Sequence, residues 1–137
     1  MDYYLRAHDG SVYKVDSLLS FATDRDFIVF TVEEYAQKGK GLSAKTDAAL
    51  NTQTFSVGNA LGEGIIIRNG LLTSQTFEEE NGAWKWLRFS AAASPGNSGG
   101  PLITPEGDVL GIITMKSANE NLNYALPFDE KIGRAHV

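Results

Sequence analysis

Hydrophobic and polar positions along this chain alternate with a period near two, which is the spacing of strands rather than helices. Tyr3 to Arg6 reads as a short strand, Asp9-Gly10 as a hairpin turn, and Ser11 to Phe21 as the returning strand. Asp26 opens a compact apolar run, Phe27-Ile28-Val29-Phe30-Thr31-Val32, short and uncharged enough to be buried on both faces. From Glu33 to Asp47 the chain turns polar and rich in Gly, Lys and Ser, the signature of a linker or long loop between two halves. A second series of strands follows at Thr54 to Val57, Ile65 to Ser74, Trp84 to Phe89, Val109 to Met115 and Asn123 to Leu126. Turns of Gly, Asn, Glu and Pro separate these strands at short intervals, which predicts an all-β barrel or sandwich of antiparallel hairpins. Trp84 and Trp86 alternate along one strand and share a face, as core or barrel-wall residues do.

Composition narrows the function. The 137 residues make one ordinary domain, and 42% hydrophobic with 21% charged residues is enough to bury a core without disulfides or metals. The net charge of -5 argues against a binder that tracks a nucleic-acid backbone, because phosphate contacts require a basic face. Lys38-Gly39-Lys40-Gly41 is the nearest basic cluster and reads as a flexible loop. The chain has no cysteine, which excludes thiol catalysis, disulfides and Cys-based zinc sites. No apolar run approaches the roughly 18–20 residues of a membrane helix, and Met1-Asp2-Tyr3-Tyr4 does not open a signal peptide.

The chemistry concentrates in Ser94-Pro95-Gly96-Asn97-Ser98-Gly99-Gly100-Pro101-Leu102. Three glycines at such spacing are rare by chance when Gly makes up about 7% of residues. A serine hydroxyl attacks only if a base takes its proton and donors stabilise the oxyanion that forms. Gly96 can adopt backbone angles that aim its N–H, with that of Ser98, into one small hole. Gly99 and Gly100 let a peptide and neighbouring strands approach, and Pro101 stiffens the exit into the next strand. A bare Gly-x-Ser-x-Gly is equally consistent with a turn whose serine bonds only locally. The whole run, followed by a strand ending in Gly111, favours a nucleophile at Ser98.

With these residues in place the chain resembles the trypsin-like serine proteases of the chymotrypsin fold, and within them the bacterial HtrA/Deg-type branch. Gly96 to Leu102 matches that family's nucleophile loop in full. Ser56 to Gly62 resembles its "Gly-Asn-Pro-x-Gly" turn, with Ala60 in place of proline, and Gly70 to Ser74 its "Gly-Ile-Val-Ser" strand. Val109 to Ile112 and Asn123 to Pro127 resemble its last two strands, so the resemblance covers about residues 3–130.

The resemblance implies a double antiparallel β-barrel and a Ser-His-Asp triad. It assigns the nucleophile to Ser98, the oxyanion hole to the N–H groups of Gly96 and Ser98, and the aspartate to Asp26, with Asp24 the runner-up. It places Ala92 and Ala93 at the base of the primary specificity pocket, where alanine cannot pair with a cation, so a small or medium apolar residue is expected on the acyl side. Thr114, Met115 and Lys116 are expected to pair with the substrate backbone by strand addition. Neutral Asn97 implies activation that does not depend on a freed N-terminal ammonium. The implied partners are polypeptide substrates, with no cofactor, metal or nucleic acid, and with room for a homo-oligomer in the full-length protein. The implied location is extracytoplasmic.

The histidine is the exception. His8 is the sole histidine upstream of Asp26, and it lies in Arg6-Ala7-His8-Asp9-Gly10, which matches a polar hairpin of the family and not its catalytic position. His136 comes downstream, in the wrong order. The expectation is a first barrel truncated upstream, holding about three strands, with residues 1–47 as its remainder plus linker and 48–130 as the second barrel. Residues 131–137, Lys-Ile-Gly-Arg-Ala-His-Val, can be back-translated into a common sequencing adapter and read as a non-native tail. The two functional alternatives are a serine endopeptidase fragment, inert for lack of its base, and a non-catalytic pseudoprotease that binds peptides or proteins.

Overall fold

The computed structural model describes residues 2–22, 27–33, 41–59, 64–77, 85–92, 96–114 and 123–128. These contain nine strands and no helix, and they fall into two compact units that meet in sequence between Gly41 and Leu42.

The first unit is a three-stranded antiparallel sheet in the order β1-β2-β3, formed by β1 (Tyr4–Arg6), β2 (Val12–Ala22) and β3 (Phe27–Val32). The Asp9-Gly10 turn forms as expected. Gly10 sits at φ 90°, its N–H donates to the carbonyl of Ala7 at 2.9 Å, and the Asp9 carboxylate accepts from the Ser11 N–H at 2.9 Å. That bond holds the Asp9 carboxyl below its ordinary value of 3.8. Two register irregularities interrupt the β2–β3 ladder between Val15 and Ser20.

The expectation that Phe27–Val32 is buried on both faces is corrected. Phe27 is buried, but Ile28 is 59% exposed and Val29 to Val32 are half-buried. Cross-strand partners share a face, so Ile28 lies beside Phe21, itself 63% exposed, while Phe27 and Val29 share the other face with Ala22 and Ser20. A single sheet covers at most one of its faces, and uniform apolar composition does not say which.

The second unit is a closed barrel in the order β4-β5-β6-β9-β8-β7, every pair antiparallel. Its strands are β4 (Gln53–Gly58), β5 (Ile66–Phe77), β6 (Lys85–Phe89), β7 (Pro101–Ile103), β8 (Val109–Thr114) and β9 (Asn123–Pro127). Closure leaves no free edge. The core is Leu72, Leu87, Phe89, Ala91, Leu102, Leu110, Ile113 and Ala125. Trp86 is buried in the wall, edge-on to Tyr124 at 6.0 Å between ring centres; Trp84 lies outside the described residues. Within the expected linker, Ser43 and Lys45 flank Val109 through backbone bonds of 2.7 and 2.9 Å.

Candidate active site

The strand β6 hands the chain to a segment that is fixed from three sides. Ser90 exchanges bonds with Leu71: its N–H donates to the Leu71 carbonyl at 3.0 Å, and its hydroxyl oxygen accepts from the Leu71 N–H at 2.8 Å. Ala91 is fully buried, and its carbonyl accepts from Asn123 Nδ2 at 2.6 Å. The Ala92 carbonyl accepts from Arg68 Nη1 at 3.3 Å and from Ser56 Oγ at 3.5 Å. Side chains of β4, β5 and β9 thus hold the residues that lead into the Gly-rich run. Arg68 and Ser90 stand apart from any motif in the sequence, and the motifs that contain Ser56 and Asn123 do not mark either as a residue that holds this segment.

The run itself is a tight turn. The Gly100 N–H donates to the Asn97 carbonyl at 3.0 Å, so Asn97 to Gly100 form a β-turn with Ser98 and Gly99 at its centre. Gly99 has φ 89° and Gly96 φ 102°, in the left-handed region where an L side chain is strained. The turn is welded to the barrel, because the Gly99 N–H donates to the Ile113 carbonyl and the Ile113 N–H to the Gly100 carbonyl, both at 2.8 Å. Leu102, four residues beyond Ser98, is fully buried in the core. Asn97 is 3% exposed and anchors the turn inward, whereas Ser98 is exposed at its tip. Neither Gly96 nor Ser98 donates its N–H to a backbone carbonyl among the described residues.

A serine raised on a rigid turn, next to two backbone N–H groups that meet no backbone carbonyl among the described residues, is suited to acyl transfer. Thr114 ends β8 opposite Tyr124 and is half-buried. Asp24, Asp26, Ala93, Met115, Lys116 and His136 lie outside the described residues. His8 is exposed in the β1–β2 turn. Asn59 accepts from the Gly64 N–H at 2.8 Å through Oδ1; Ala60 lies outside the described residues. Among the described residues no cluster of His, Asp and Glu could hold a metal ion.

A closed six-stranded antiparallel barrel with a second sheet and a serine on a Gly-Asn-Ser-Gly-Gly turn defines a protein of chymotrypsin-like fold. The family model of the trypsin-like peptidase domain matches residues 2–112, and the chain belongs to that family. Among curated proteins it is similar to the putative serine protease HhoA of Synechocystis, 28% identical over 91% of this chain and 32% of that one. It is also similar to the chloroplastic Protease Do-like 1 of Arabidopsis thaliana, 26% identical over 82% of this chain and 28% of that protein. A third relative, the anti-sigma-I factor RsgI9 of Acetivibrio thermocellus, is 25% identical over 91% of this chain and 17% of its own length. The chain therefore spans less than a third of each of these relatives. Among solved structures, the HtrA-type protease AlgW with tripeptide, in its S227A form, superposes with a TM-score of 0.78. It is 18% identical, over 96% of this chain and 46% of that one. The fold and the HtrA branch expected from the sequence are both found, and the three-stranded sheet is a partial counterpart of a first barrel.

Proposed function

We propose that this chain is part of the catalytic domain of an HtrA-type serine endopeptidase. Ser98 is the nucleophile, the N–H groups of Gly96 and Ser98 form the oxyanion hole, and Asp26 orients the base. The Ser98 hydroxyl adds to the scissile carbonyl, its proton passing to a histidine, and the amine leaves with that proton from the resulting tetrahedral adduct. Water then hydrolyses the acyl-enzyme by the same steps. The observation that carries this reading is the turn: Gly99 and Gly100 use their N–H groups to hold it, while those of Gly96 and Ser98 go to no backbone carbonyl among the described residues.

Peptide substrates meet the wall that begins at Thr114 and continues through Met115 and Lys116, and Ala92 with Ala93 line the acyl-side pocket. Residues 1–47 belong to the first barrel and its linker, 48–130 to the second, and the 131–137 tail is not native. The parent protein acts outside the cytoplasm. The 137-residue chain alone is inactive, because His8 sits exposed on a hairpin turn closed by its own backbone bonds.

The test is covalent labelling with diisopropyl fluorophosphate, read by mass spectrometry. The expected result is an adduct on Ser98 in the parent-length protein and none on the isolated chain. A folded parent protein that neither takes the label nor cuts a peptide library supports the non-catalytic binding module instead.

A further inference from the structure

Four strand ends meet at one rim of the barrel. β6 ends there at Phe89, β9 begins beside it at Asn123, and β8 ends at Thr114, beside Tyr124. The turn that carries Ser98 enters β7 at the same rim, because the Gly99 N–H donates to the carbonyl of Ile113, one residue before Thr114. Ala91 and Ala92 therefore leave the rim on one side of Asn123, and the wall that begins at Thr114 leaves it on the other. The register also fixes the way Asn123 faces. It is the cross-strand partner of Phe89 and stands two residues before Ala125, and both of these lie in the core. Its side chain is thus on the inner face of the barrel, half-buried where that face reaches the rim. There Nδ2 donates to the Ala91 carbonyl at 2.6 Å, which ties the amide to the segment entering the Ser98 turn. Asparagine is a poor strand former, and a polar side chain on a core-facing strand position breaks the local pattern. Such breaks concentrate at functional sites.

We propose that Asn123 sets the size limit of the acyl-side pocket, its amide forming the floor between Ala92 and Thr114. The size limit rests on the acyl-side pocket proposed above. A substrate residue as small as Ala or Val stops short of the amide. Leu or Phe must push the amide off the Ala91 carbonyl, which breaks a hydrogen bond and overpacks the rim of the core.

The experiment is isothermal titration calorimetry of the parent-length protein carrying Ser98→Ala, so that no peptide is cut. The titrants are one peptide series ending in a C-terminal Ala, Val, Leu or Phe. The Ala and Val peptides should bind at least roughly tenfold more tightly than the Leu and Phe peptides, as a pocket limited by one or two methylenes implies. Asn123→Gly in the same background should remove that difference by tightening the Leu and Phe peptides. If the glycine variant does not fold, Asn123→Ala, which keeps a Cβ, takes its place, and the order of the four peptides on the Ser98→Ala protein already tests the limit. A residue that merely braces the Ala91 segment would instead weaken all four peptides alike when replaced. That result, a Phe peptide bound as tightly as the Ala peptide before Asn123 is changed, a variant that keeps the original order, or no saturable binding at all overturns the proposal. The label on Ser98 judges the proteolytic reading separately: a protein that takes no label yet binds with this preference keeps the size limit and loses the enzyme.

Discussion

Gly58 and Asn97 meet so closely that a side chain on the glycine has no room. A Cβ there would lie 2.5 Å from Asn97 Oδ1 and 3.1 Å from its Cα. Asn97 is 3% exposed, so its amide cannot swing into solvent to make space. Gly58→Ala must therefore push the Ser98 turn away from the end of β4. The expected cost is about 1–3 kcal/mol, as usual for overpacking, seen as a Tm several degrees lower. Asn97→Ala in the same chain should recover part of that loss, since it removes the atom in the way. A Gly58→Ala protein that melts with the parent would show that the two residues are not in contact.

The same asparagine allows a charge test. Its Oδ1 is buried and accepts no hydrogen bond among the described residues. In Asn97→Asp a carboxylate would be left there without a counter-charge, and burial favours its neutral form. The folded-state pKa then lies above the unfolded value of about 3.9. The acid form is the one the fold accepts, so the variant keeps its stability at low pH. It loses stability as pH rises above the unfolded value, by up to about 1.4 kcal/mol per pH unit until the folded pKa is reached. Denaturant melts at two pH values read this directly. A deficit relative to the parent that is the same at pH 4 and pH 7 would mean that the aspartate finds a partner or reaches water.

At the turn itself, shape and chemistry separate. Gly99→Ala places a side chain at φ 89°, where the strain is roughly 1–2 kcal/mol, and should lower stability. Ser98→Ala removes an exposed hydroxyl and should change stability by less than about 0.5 kcal/mol, while preventing any acyl or phosphoryl adduct in the parent-length protein. Comparable melting of the two variants would contradict the left-handed conformation at Gly99.

Much of this fold is legible in sequence where one physical demand leaves one solution. Positive φ in a tight turn favours glycine strongly, so the spacing of Gly96 and Gly99 around Ser98 is enough to mark the turn. Strand alternation likewise places eight of the nine strands. The ninth, Pro101–Ile103, is three residues long and too short to show a period. The contacts that hold the site are another matter. Arg68 bonds Ala92 across 24 residues of sequence, and Asn123 bonds Ala91 across 32. Neither pair sits in a local pattern, because such contacts depend on barrel register, which only closure fixes. Ile28 fails for a similar reason: an apolar strand does not record whether a second layer covers it.

The proposed acyl-side pocket bears on specificity. Ala92 carries no charge there to pair with a cationic side chain. Profiling the parent-length protein on a peptide library should therefore show cleavage after Arg or Lys at least roughly tenfold slower than after small apolar residues, about 1.4 kcal/mol in the transition state. A strict preference for Arg or Lys would remove Ala92 from the specificity pocket.

The exposed apolar surface of the first unit gives the last prediction. Tyr3, Tyr4, Val12, Leu18, Phe21 and Ile28 are each more than half exposed, and exposed apolar surface of this kind promotes association. Unit 1 therefore has little burial to stabilise it, whereas the closed barrel has a full core. The isolated chain should bind the dye ANS and unfold in two steps, with amide exchange faster in β1–β3 than in β4–β9. Phe21 and Ile28 face each other across β2 and β3. The paired change Phe21→Glu with Ile28→Lys replaces the apolar contact by opposite charges, which contribute roughly 0.2–1 kcal/mol to a ladder. It should cut dye binding and raise solubility without disturbing the barrel's amides. A single sharp transition with no dye bound would mean that the first sheet is covered in solution, by self-association if the transition depends on protein concentration.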